Sequence, residues 1–162
     1  MPCRDCGQPF QRASMHTQKN LSLTMAAVAM FAAAALHVAA LLVGPAMIAA
    51  LGAPEIVVQS SQQGTMLAPL VILGIAAALA VLGLYALSGA GRLQRLPFVR
   101  FVLGAAACVF ILRALALPAV LLLAPAVPEQ IPLFEIYTAV LCFLIGLTFL
   151  SGLRKQAQTR MA

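Results

Sequence analysis

Residues 87–100 read LSGAGRLQRLPFVR, a short basic stretch set between two long apolar runs. It decides the fold, because basic loops of this kind fix how a chain sits in a bilayer. Hydrophobic residues make up 63% of the 162 positions and charged residues only 9%, against about 45–50% and about 25% in an ordinary soluble domain. The mean hydropathy is +1.02. A water-soluble fold cannot hide that much apolar surface, so lipid is the expected solvent.

Working outward from the basic stretch, the apolar runs predict four spans. Span one covers Leu21 to about Val43; about 20 residues at ~1.5 Å each cross a ~30 Å hydrocarbon core. It exceeds the roughly 7–15 apolar residues of a signal peptide and reads as an uncleaved anchor. Gly44-Pro45 is expected to end or kink it. Residues 46–65, with Pro54, Glu55 and the run Gln59-Ser60-Ser61-Gln62-Gln63-Gly64, read as an aqueous loop whose first part, AMIAAL, suits a short interfacial helix. Span two is expected over 66–87, with Pro69 tolerated in its first turn. Span three begins near Pro97 and ends at Leu117 or Leu123, depending on Pro118. The proline-rich segment 124–132 separates it from span four at 133–153, and the basic tail 154–162 follows. The expected fold is an all-α four-helix transmembrane bundle of two helical hairpins.

Nine of the ten Lys and Arg residues lie in the head 1–20, the central stretch and the tail, whereas the other two loops carry only Glu55 and Glu129. The positive-inside rule therefore predicts both termini and the 88–97 loop in the cytoplasm, as for a multi-pass bacterial inner-membrane protein. Arg92, Arg95 and Arg100 are placed to touch anionic lipid headgroups. The net charge of +6 does not suggest nucleic acid, because the basic residues are parcelled out beside apolar spans and form no continuous binding face.

The tenth basic residue, Arg113, lies inside span three, about 16 residues or roughly 24 Å from its basic edge. A charge at that depth must snorkel or find a partner. Glu135, near the start of span four, is the candidate. The two are level if span three stops or bends at Pro118 and miss by about two turns if it runs straight to Leu123. His37 sits at matching depth in span one. Arg113, Glu135 and His37 are thus expected to line one polar cavity, either as a ligand site or as a structural fastening. Tyr137 is a weaker member, turned about 200° from Glu135 along the helix.

Cys3 and Cys6 form C-R-D-C-G, a spacing that grips one edge of a zinc ion. With His16 at most a third ligand and no second pair, closure requires a second chain. If translation begins at Met15, this segment is a dispensable leader. No Walker motif, HExxH, GxSxG or paired-carboxylate motif is present, so none of those catalytic chemistries is indicated.

At LYALSGAGRLQRLPFVR followed by LRALALP, the chain resembles a group of uncharacterised small four-span inner-membrane proteins of proteobacteria, over roughly residues 21–153. The resemblance implies the topology and no activity. The expected function is that of an accessory subunit or a binder of a lipid-like molecule, with membrane lipids, other membrane subunits or its own copies as partners. The alternatives are a small oligomeric transporter or channel, and a membrane redox protein using Cys3 and Cys6 or a quinone. A reporter enzyme fused after Ala162 is expected to be active only on the cytoplasmic side; activity on the far side would overturn the orientation.

Overall fold

The computed structural model describes residues 20–94, 96–123 and 133–161. Cys3, Cys6, His16, Arg95, Glu129 and the 124–132 connection therefore lie outside the described residues. Among the described residues six helices follow in order: α1 Leu21–Val43, α2 Pro45–Ala50, α3 Glu55–Gln62, α4 Leu67–Gly89, α5 Val99–Leu123 and α6 Leu133–Met161. Four of them, α1, α4, α5 and α6, are long and apolar enough to cross a membrane. Large apolar side chains such as Leu42, Leu70, Phe101 and Leu122 stand exposed on their outer faces. In water such a surface would aggregate, but facing acyl chains it is at no disadvantage. The chain is an integral, multi-pass membrane protein built as a helical bundle.

The helices pack as two antiparallel hairpins, α1 with α4 and α5 with α6, and the ring closes through α1 against α6 and α4 against α5. The hairpins are joined chiefly at the end that carries the basic residues. Leu23, Ala26, Ala27 and Met30 of α1 meet Ala86 of α4, Leu103, Ala106 and Ala107 of α5, and Ile145 and Phe149 of α6. The Phe110 and Phe149 rings stack at 6.1 Å between centroids. Close approach relies on small residues, as expected where lipid gives no hydrophobic drive between helices. Gly152 lies against the buried Leu23 side chain, and Gly83 backs onto the Phe31 ring. Gly74 and Ala78, by contrast, face outward.

Polar groups gather where backbone would otherwise be left without partners. Asn20 caps α1 through its side-chain oxygen, and its amide donates to the Gly152 carbonyl at 2.8 Å. The Gln156 amide donates to the Gly89 carbonyl. Gly91, at φ +74°, ends α4: its N–H donates to the Ser88 carbonyl and the Arg92 N–H to the Leu87 carbonyl. This is the glycine stop that satisfies orphan carbonyls. Ser88 Oγ then donates to the Gln94 carbonyl at 2.8 Å and accepts from the Leu96 N–H at 2.9 Å, pinning the basic loop beneath α4. The exposed Arg92, Arg100 and Arg154 share this end.

Several boundaries differ from the sequence expectations. Helix α5 starts at Val99 and not at Pro97, because Phe98 takes a left-handed conformation with φ +55° that a right-handed helix cannot include. Pro118 lies inside α5, which continues to Leu123; proline withdraws one donor, a loss that packed neighbours in a bundle can absorb. The residues after Leu153 form no separate tail and extend α6 to Met161.

The segment 46–65, expected as an aqueous loop opening on a short helix at AMIAAL, has that helix and a second one that was not expected. It folds as α2 and α3 and carries its own core, in which Ile48, Val57 and Val58 pack with Ala40, Ala68 and Ile72. The polar residues occupy one face of α3, where Glu55, Gln59 and Gln62 are exposed and Gln59 donates to Glu55 at 3.2 Å. Ser60 is buried but satisfied, accepting from the Ala68 N–H at 2.9 Å and sharing a 2.6 Å hydrogen bond with the Thr65 hydroxyl. Composition hid an amphipathic helix whose buried face is short.

A Cβ at Gly152 would collide with Leu23, whereas one at Gly104 meets open space. Gly152→Ala is expected to cost about 1–3 kcal/mol by overpacking and Gly104→Ala to be neutral or slightly stabilising. Thermal melts in one detergent check this; equal melting of the two variants would mean that the contact does not constrain the bundle.

Candidate functional site

At the end opposite the basic loop the hairpins enclose a cavity of about 310 Å³. Its floor and sides come from His37 and Ala40 on α1, Val71, Ile72 and Ile75 on α4, and Arg113 on α5; the turn Leu51–Pro54 roofs it. The roof exists because α2 stops at Gly52, whose φ of +73° reverses the chain into α3. A Cβ at this position would stand 3.0 Å from Phe134 and 3.5 Å from Glu135 Oε1. The first turn of α6 thus stands beside the roof, close enough to leave no room for a side chain at Gly52, and Glu135 lies next to the cavity through its contact with Arg113.

Arg113 Nη2 donates to Glu135 Oε2 at 3.1 Å, with side-chain exposures of 49% and 30%. The pair closes with α5 continuing through Pro118 to Leu123. Gly146 packs on Ile111 and the Ala107 carbonyl, which sets the α5–α6 register and leaves Arg113 below Glu135 along the bundle; the long arginine stem and the glutamate side chain together close the offset. The contact is single, one N–H to one oxygen, whereas a guanidinium has five N–H donors and can hold a carboxylate by two.

His37 uses Nδ1 to reach the Ala33 carbonyl one turn back at 2.8 Å. A carbonyl only accepts, so Nδ1 carries the proton and Nε2 of the neutral ring is an acceptor. The partner is the histidine's own helix and not a neighbouring one. Tyr137 does not join: it is 70% exposed on the outer side of α6, as the angle from Glu135 requires. Cys108 and Cys142 are free thiols, the former exposed on the bundle surface. Cys3, Cys6 and Arg95 lie outside the described residues, while Arg92 and Arg100 stand exposed at the basic end, far along the bundle from the cavity.

The site is therefore an apolar pocket with a few convergent polar groups, the usual make-up of a small-molecule site. A second and larger groove, about 410 Å³, runs between α4 and α5 among Leu79, Leu82, Phe101, Val109 and Phe110. Its walls carry no polar side chain, so acyl chains of the surrounding lipid can fill it without any specific recognition. Sequence reading placed His37, Arg113 and Glu135 at one depth but missed the roof. The available signal was the apolar spacing of Ile48, Leu51, Val57 and Val58 around a helix-stopping glycine. No family model, curated protein or solved structure matches the chain.

Arg113→Glu is expected to lower thermal stability, and Arg113→Glu with Glu135→Arg to recover part of it. A double-mutant cycle should give a favourable coupling within the about 0.5–3 kcal/mol range of contacting residues; additive losses would remove the pairing from any account of the fold.

Proposed function

We propose that the protein holds a lipid-like molecule in the His37–Arg113 cavity, alone or as an accessory subunit of a larger membrane assembly. The observation that carries this reading is the cavity itself. Apolar walls accept a hydrocarbon portion, while Arg113, Glu135 and His37 supply polar contacts at one level. Arg113 costs several kcal/mol to place within a bilayer unless it is paired or functional, and its pairing with Glu135 is only single.

The proposed setting is a bacterial inner membrane with the basic end in the cytoplasm, which orients the roof formed by α2 and α3 toward the outer side. A transporter reading draws support from the break at Gly44-Pro45, but α5 is unbroken at Pro118. The binder reading needs no second broken helix and is preferred.

Native mass spectrometry of the full chain, extracted gently from its own membrane, tests the reading. A retained small amphiphile is expected, and Ala53→Phe, which places a ring under the roof, should abolish its retention. A bare chain, or retention unchanged by Ala53→Phe, would remove the cavity as the binding site.

A further inference from the structure

Resting on the binder reading, we infer that the ligand is a single-chain amphiphile with a compact anionic head, and that Glu135 is its built-in stand-in on Arg113. Three observations converge. First, Arg113 lines the cavity and spends only one N–H, on Glu135 Oε2; the remaining donors of the guanidinium are uncommitted among the described residues. A carboxylate or phosphate oxygen pair suits such a fork better than the single contact it now makes. Second, the charge at the cavity is unbalanced in kind. Among the described residues Arg113 is the one cation lining it and Glu135 the one anion beside it, so releasing Glu135 leaves a guanidinium facing an apolar chamber, which selects for an anion. Third, about 310 Å³ is at the low end for ligand pockets. It admits a compact head with part of one chain, and it is too small for the body of a two-chain phospholipid.

Glu135 can be displaced because its hold is weak. It is one N–H to one carboxylate oxygen, short of the two-point grip that a guanidinium can make on an incoming anion. His37 adds a complementary feature: with Nδ1 held by the Ala33 carbonyl, Nε2 is available to accept from a hydroxyl or a protonated acid oxygen of the head. The roof links occupancy to shape. Glu135 Oε1 lies 3.5 Å from where a side chain at Gly52 would begin, so a Glu135 that has left Arg113 changes the surface beside the α2–α3 cover.

The test titrates the full chain in a neutral detergent with oleate, oleoyl lysophosphatidate and monoolein, with binding followed by native mass spectrometry. Wild type should bind at least one of the two anions about tenfold more tightly than neutral monoolein, about the gain expected from one charge-assisted contact. Tighter lysophosphatidate assigns the head to phosphate, and tighter oleate to carboxylate. Arg113→Gln should lose the preference for anions. Glu135→Gln should bind the anion about threefold more tightly than wild type, because the internal competitor is gone. A residue that only fastened helices would give the opposite sign. Equal binding of monoolein and both anions overturns the anionic head yet leaves a lipid binder standing; no binding of any of the three overturns the binder reading as well. Weaker anion binding by Glu135→Gln overturns the stand-in role. The comparison of probes on wild type needs no variant, so it decides the head chemistry even if a substitution prevents folding.

Discussion

Hydrocarbon offers no hydrogen-bond partner to a peptide group, and the rest of this structure depends on that one absence. Every backbone donor within the bilayer must be matched inside the protein, which is why the spans are continuous helices. The unmatched groups are pushed to the ends, and there the chain spends its few polar side chains. Asn20, Ser88 and Gln156 bind backbone at one end, and Ser60 with Thr65 does so at the other. Within the described spans several polar side chains turn back on their own helices, as Thr138 does to the Phe134 carbonyl and Thr148 to the Ile145 carbonyl. Arg113 and Glu135 are an exception, reaching each other across two helices.

That exception organises the far end of the bundle. A guanidinium at depth draws a carboxylate toward it, the carboxylate sits in the first turn of α6, and the same turn stands beside the Gly52 reversal. The polar pair and the roof are thus neighbours. The cavity lies between them because α2 and α3 bury their apolar faces on α1 and α4 and not on α5.

Much of this was readable before the structure. Spans show as apolar runs long enough to cross hydrocarbon, and α1 and α4 have few residues that could place their ends elsewhere. An arginine between Leu112 and Ala114 is a conspicuous signal, and Glu135 is the only acid at comparable depth. The fall of Tyr137 outside the cluster follows from helix geometry alone. What escaped did so for definite reasons. The glutamines and serines of 59–63 outweighed two valines in any average, although it is the face, and not the average, that packs. Phe98 adopts a left-handed conformation that neither its side chain nor its neighbours announce. The reach of an arginine stem is invisible to a count of residues, so the meeting of Arg113 with Glu135 could not be read from where span three ends.

The two cores are unequal in their membership. The one beneath the roof draws only on α1, α2, α3 and α4, whereas the one at the basic end needs all four long helices. Every buried residue of the roof core therefore comes from the first half of the chain, whereas Leu23, Ala26, Ala27 and Met30 of that same half complete their cover only with the second hairpin.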